Sequence, residues 1–234
     1  MDRWIHFNMA IVGGFLGGFA ILNHHDLFGS AQTSNLISVF SDLAGHPDAN
    51  FLVRLLGVFI YMFALSLTVI LPKFTKLHLP YVSLCIDALA ALIVAFLPSN
   101  LNDFIALYPL YFAMAIQWCS FKGGDGFTCS TIFSTNNLRQ FTTSMTEYLL
   151  SKDPDALRKW KFFASVLLSF HFGVIVSYLS CKNLGQMGSL VCFLPVVSGF
   201  SLVYVKRHFI AVKHLVYRLW IAPKKNTVCI SESE

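Results

Sequence analysis

Charge is what this chain has least of. It carries 17 Lys and Arg and 12 Asp and Glu in 234 residues, so charged residues make up 12% of it, where a soluble domain carries about 25%. A water-soluble protein of this size needs a charged shell, and these residues are too few to form one. The shortage excludes an ordinary soluble enzyme, a disordered chain and a nucleic-acid-binding module. The net charge of +5 is then a signal of topology and does not point to a nucleic-acid partner. Patterned cysteine is lacking too. Cys85, Cys119, Cys129, Cys181, Cys192 and Cys229 form no C-x-x-C pair, which argues against a zinc or disulfide framework and for buried free thiols. There is no nucleophile elbow, no metal-ligand spacing and no Lys-Ser/Thr after Gly123-Gly124-Asp125-Gly126, so no catalysis, cofactor or metal is expected. That glycine-rich stretch reads as a hinge. A cleavable leader is not evident, and the first apolar run reads as a retained span.

What the chain has instead is apolar length. Hydrophobic residues make up 56% of it, with Phe alone at 23 positions, and mean hydropathy is +0.63. Six runs approach the roughly 20 residues that cross a bilayer: Trp4–Leu22, Leu55–Leu71, Leu77–Leu97, Phe104–Phe121, Phe162–Cys181 and Leu184–Val205. Only the third contains an acid, Asp87.

Two further segments, Asp26 to Gly45 and Gly126 to Ser151, are more polar. Each ends in a helical stripe: Leu36, Ile37, Phe40, Leu43 and Ala44 in one, Leu138, Phe141, Met145, Tyr148 and Leu149 in the other. Ser, Thr and Asn just before each stripe predict side-chain capping. If the six runs span, both polar segments turn back and the N-terminus is inside, then 15 of the 17 basic residues lie inside, with Arg54 and Lys182 outside. If both polar segments crossed, Lys73, Lys76, Lys122 and Lys182 would lie outside. The positive-inside rule favours six spans with both termini in the cytoplasm.

The polar segments also resemble each other. Thr33-Ser34-Asn35-Leu36 recurs as Thr135-Asn136-Asn137-Leu138, 102 residues on, and Pro47-Asp48 recurs as Pro154-Asp155. Each copy is preceded by one run and followed by two. The expected fold is therefore an all-α membrane protein: six transmembrane helices as two three-span repeats, each with a short polar half-helix. With three spans per repeat, the second must be inverted. The expected divisions are 1–100 and 101–205 for the repeats and 206–234 for a cytoplasmic basic amphipathic helix and tail, lying on anionic lipid.

The stretches Gly13-Gly14-Phe15-Leu16 and Leu27 through Leu36, with Phe112-Ala113-Met114-Ala115-Ile116-Gln117 and Thr135-Asn136-Asn137-Leu138, resemble the bacterial YoaK-type integral membrane family. The resemblance runs to about residue 205. The middle Gly of the family's paired Thr-Gly-Asn-Leu motif is here Ser34 and Asn136, and Gly17 stands where the family commonly has Asp. The resemblance implies a bacterial inner-membrane location and this architecture, and names no substrate.

In inverted-repeat transporters, interrupted helices meet near the midplane and their free N–H groups favour a polar or anionic ligand. On that plan Gln32, Thr33, Asn35, Thr135, Asn136 and Asn137 are expected to bind an unknown small polar or anionic molecule, or else to cap and glue. Gln117, inside the fourth run, lines the cavity or acts as helix glue. Asp87 is a candidate proton-coupling group, because a charged Asp at a span centre costs about 2.5–3.5 kcal/mol. His171 could shuttle protons or simply pack. His24 and His25 could touch a metal, but adjacent histidines on a helix point apart. Gly13 to Gly17 and Gly14 to Gly18 form small-residue pairs for internal packing or a homodimer face. The expected function is a small-molecule transporter or permease; the rival is a scaffold, assembly factor or sensor.

Overall fold

The computed structural model describes residues 1–24, 27–46, 49–98 and 100–220, with side chains to residue 209. Among these the chain is helical almost throughout. The elements are α1 (Asp2–Asn23), α2 (Thr33–Leu43), α3 (Phe51–Phe74), α4 (Leu79–Ala95), α5 (Asp103–Ala106) and α6 (Tyr108–Ser120). A ribbon of β1 (Gly123–Gly124) and β2 (Phe127–Thr128) follows, then α7 (Thr135–Ser151), α8 (Pro154–Leu184), a 3-10 helix (Gly185–Cys192) and α9 (Phe193–Trp220).

Three helical stretches are long and apolar enough to cross a membrane: Asp2–Asn23, Phe51–Phe74 and the run Pro154–Phe209, which holds α8, the 3-10 helix and most of α9. Leu79–Ala95 is a shorter apolar helix. Their outer surfaces are apolar. Phe59 and Phe63 on α3, Leu168 and Ile175 on α8, and Leu194 on α9 are all exposed. A belt of this kind is solvated by lipid and not by water. The molecule has the dimensions and surface of a helical membrane protein.

The core sits around α1, whose Met9, Val12, Phe15, Leu16 and Phe19 are fully buried. α1 packs on α8 and α9; α3 and α4 pack on α6; α2 lies on α3 and α7 on α8. The glycines of α1 explain its closeness to α8. A Cβ at Gly14 would overlap the Phe170 carbonyl, and one at Gly173 would overlap the Ile11 carbonyl. Gly13 likewise admits the Thr131 carbonyl, and Gly18 admits Val174. The small-residue surface is thus used inside the fold, and a homodimer would need another face.

Three expected boundaries change. The run Phe104–Phe121 is two helices that meet at Leu107. Asn102 caps the first by accepting from the Phe104 N–H. Pro109, in the first turn of the second, has no N–H and crowds the carbonyl four residues earlier. The run Leu184–Val205 begins as a 3-10 helix, because Gly185 at φ 59° ends α8. The basic tail is no separate helix as far as Trp220, since α9 continues unbroken through it. Residues 221–234 lie outside the described residues.

The stripes of α2 and α7 form as expected, but that of α2 faces outward. Leu36, Ile37, Phe40 and Leu43 are between 40% and 67% exposed, while Asn35 and Val39 face in. On α7, Tyr148 stacks on Trp160 of α8, whereas Leu138 and Leu149 are exposed. The hinge before α7 is a tight hairpin. Asp125 and Gly126 both take positive φ, 52° and 87°, the pattern of a two-residue primed turn that Asp-Gly favours. Asp125 pairs with Arg3 at 3.7 Å.

Candidate functional site

The starts of the two half-helices meet at one cavity of about 730 Å³. Gly17, Gly18 and Leu22 of α1 form one side with Phe170 and Val174 of α8. Ser30 and Thr33 approach from the first half-helix, and Thr135, Asn136 and Arg139 from the second. Both approaches are irregular backbone within the fold: Ser30 and Gln32 are buried before α2, and Cys129, Ser130, Thr131 and Ile132 before α7. Non-helical backbone at this depth needs partners from protein, water or ligand.

The predicted capping does not form. Neither Gln32 at the start of α2 nor Ser134 at the start of α7 makes a side-chain cap bond, and neither first turn holds an acid. The cap side chains thus leave the first-turn N–H groups unoccupied at the positive ends of both helix dipoles, and Thr33, Thr135 and Asn136 of those turns line the cavity. Arg139 adds a cation on the same wall. Its Nη2 donates to Asn136 Oδ1 at 2.9 Å, which holds the guanidinium beside the α7 start. The remaining walls include Phe28, Ile132 and Phe133. The arrangement suits a ligand with an anionic or strongly polar head and an apolar body.

Of the residues expected at the site, Thr33, Thr135 and Asn136 line this cavity. Four others bond to the chain itself. Asn35 Nδ2 donates to Gln32 Oε1 at 2.8 Å, and Arg54 donates to Asn35 Oδ1 at 3.3 Å. Asn137 Nδ2 donates to the carbonyls of Ser130 and Phe133 at 2.8 and 2.9 Å, and the Cys129 thiol donates to its Oδ1. Gln117 Nε2 donates to the Met9 carbonyl at 2.8 Å and to Thr131 Oγ1 at 3.0 Å. These amides fasten the irregular approaches against α1 and the half-helices, as buried polar groups must be.

Asp87 is fully buried on α4 and does not line the cavity. The Ser83 hydroxyl donates to its Oδ2 at 3.4 Å, and among the described residues its Oδ1 has no partner. His171 is exposed on α8 and its Nδ1 lies 2.7 Å from the Leu167 carbonyl, a bond within its own helix. His24 Nδ1 is hydrogen-bonded to Asp103 Oδ1 at 2.8 Å, which ties the end of α1 to α5; His25 and Asp26 lie outside the described residues. Among the described residues no group of three His, Cys, Asp or Glu could hold a metal.

Sequence reasoning counted Arg139 only as a topology charge. Its place, directly after the second Thr-x-Asn-Leu segment, was the available signal: a cation one turn into a half-helix whose first turn holds no acid. The loop residue Ser30 gave no such signal.

A family model described as "Protein of unknown function (DUF1275)" matches residues 5–204. No curated protein matches, and no solved structure matches.

Proposed function

We propose that this chain, which belongs to the DUF1275 family of proteins of unknown function, is a multi-pass membrane transporter or permease for small anionic or polar molecules. The observation that carries the reading is the shared cavity. Two uncapped helix starts and Arg139 converge on one space between α1 and α8. Inverted-repeat transporters bind anionic groups at half-helix N-termini in this way.

The helix pairings support two inverted repeats of three spans each. Exchanging α1 with α6, α2 with α7, α3 with α8 and α4 with α9 turns the α1–α8 contact into α6–α3. It turns α1–α9 into α6–α4, and α2–α3 into α7–α8, and all of these pairs are made. In six-span form, α5 and α6 together make the fourth crossing and α9 the sixth. Asp2, His78, Lys122 and Lys206 gather at one end, the end that the positive-inside rule places in the cytoplasm with both termini. The resemblance to the YoaK-type family supports a bacterial inner membrane as that membrane. Asp87 remains the proposed protonatable group. It lies off the cavity, so coupling would run through the packing of α4 on α6 and α9.

A second reading, a scaffold, assembly factor or sensor, is favoured by the amides: Gln32, Asn35, Asn137 and Gln117 all bond within the chain. Uptake into proteoliposomes separates the two, using a panel of small carboxylates with and without apolar bodies. Uptake by the wild type that Arg139→Gln abolishes supports transport. No uptake, together with no ligand-dependent rise in melting temperature, favours the scaffold.

A further inference from the structure

A second cavity, of about 480 Å³, lies at the opposite end of α1 and goes beyond the function proposed above. Four elements build it: the start of α1, the turn into α4, the end of α6 and the middle of α9. Lys122, Lys206 and Arg207 line it, with His6, His78 and one carboxylate, Asp2. Asp2 is paired with Lys206. Among the described residues neither Lys122 nor Arg207 has a carboxylate partner, so the cavity holds an excess of positive charge. His78 feels that charge: partial burial first, then Arg207 and Lys206, push its imidazole below the ordinary value.

The decisive group is His6. It is only 1% exposed, it lines the cavity, and among the described residues neither ring nitrogen has a hydrogen-bond partner. A buried imidazole with both nitrogens unmet is unfavourable unless a ligand or water meets them. A neutral imidazole offers one N–H donor, and the neighbouring cations favour an anion as its acceptor. Ile5, Phe121 and Val203 continue the wall as an apolar strip.

We propose that this cavity binds a phosphate group, either the headgroup of an anionic phospholipid or a free phosphate. Lys122 and Arg207 neutralise it, and His6 donates to one of its oxygens. Charge-assisted bonds from a guanidinium and an ammonium are the strong interactions available here, and an anionic leaflet supplies such headgroups at the membrane surface.

The test uses the full-length protein. Its melting temperature is followed in phosphatidylglycerol nanodiscs against phosphatidylcholine nanodiscs, and in detergent with added inorganic phosphate. The wild type is expected to melt higher with phosphatidylglycerol, with inorganic phosphate, or with both. A response to phosphatidylglycerol alone assigns a lipid headgroup, and a response to inorganic phosphate assigns a free anion. His6→Phe, which keeps the ring and removes its nitrogens, is expected to weaken apparent affinity about tenfold, as loss of one bond to a charged group does. Lys122→Gln with Arg207→Gln carries the same test on partly exposed side chains if His6→Phe fails to fold. Arg139→Gln, in the other cavity, is expected to keep the response, so this proposal can fail while the transport reading stands, and the reverse. A wild type that responds to neither probe would overturn the proposal. So would an equal response in wild type and pocket variants, or a loss that follows Lys213→Gln with Arg218→Gln in the tail instead of the pocket.

Discussion

Gly14 of α1 lies so close to the Phe170 carbonyl of α8 that any carbon added to the glycine would overlap the oxygen. Gly17, one turn away on the same helix, has room: a Cβ there would meet Met114 Cε at 3.6 Å, an ordinary contact. Gly14→Ala is therefore expected to destabilise the protein by about 1–3 kcal/mol, the usual range for overpacking, and Gly17→Ala to be close to neutral. Melting temperatures in one detergent decide it. Equal effects at the two positions would mean that α1 and α8 are not in backbone contact.

Asn137 satisfies two backbone carbonyls, those of Ser130 and Phe133; Asn35 answers side chains, those of Gln32 and Arg54. Asn137→Ala strands a buried and a partly buried main-chain acceptor, which costs about 1–3 kcal/mol. Asn35→Ala removes bonds to the side chains of Gln32 and Arg54, which can turn to other partners. Asn137→Ala should lower the melting temperature more than Asn35→Ala, and the opposite order would contradict the bonding described.

Orientation is open to chemical labelling. On a cysteine-free background, cysteines at Asn102 and Lys182 should react with an impermeant maleimide on intact cells. Cysteines at Lys73 and Lys152 should react only after permeabilisation. Reaction of all four from one side would sink the six-span topology.

His78 gives a pH dependence. It stands just before α4, and its imidazole is held below the ordinary value of 6.5 by burial and by Arg207 and Lys206. The folded chain therefore resists protonation there more than the unfolded chain does. The resulting stability is present above the unfolded value and is lost as pH falls below it toward the lower folded value. His78→Gln should flatten the fall in melting temperature between about pH 7 and pH 5.5. An anion held among Lys122, Lys206, Arg207 and His6 would favour the protonated ring, so phosphatidylglycerol should reduce the same slope in the wild type. An unchanged slope in His78→Gln would remove His78 from this account.

Much of this is legible in the sequence. The apolar runs and the two Thr-x-Asn-Leu segments located α1, α3, α4, α8 and both half-helices, because length, hydropathy and period are local properties. The break at Leu107 was written in Asn102 and Pro109, but sustained hydropathy hid it. The outward turn of Leu36, Ile37, Phe40 and Leu43 was not legible. Periodicity shows that residues share a face and is silent on whether that face meets protein or lipid, since both are apolar. Thr33 and Asn136 were singled out from the repeat; that they share a cavity with Arg139 depends on tertiary packing across about a hundred residues of chain. The capping expected from Ser and Thr failed for the same reason, since side-chain geometry at a helix start is set by its neighbours.

The outward apolar face of α2 bears on how the protein is made. An eleven-residue helix is about 16 Å long, roughly half the hydrocarbon thickness. It is too short for the insertion machinery to deliver as a crossing segment, and its start carries unpaired backbone that lipid cannot satisfy. On the six-span reading the segment would enter sideways, after α3 has inserted and can receive α2 against its flank. Biogenesis then has a late step, and a protease acting during synthesis should cut between α1 and α3 before that step and fail to cut after it.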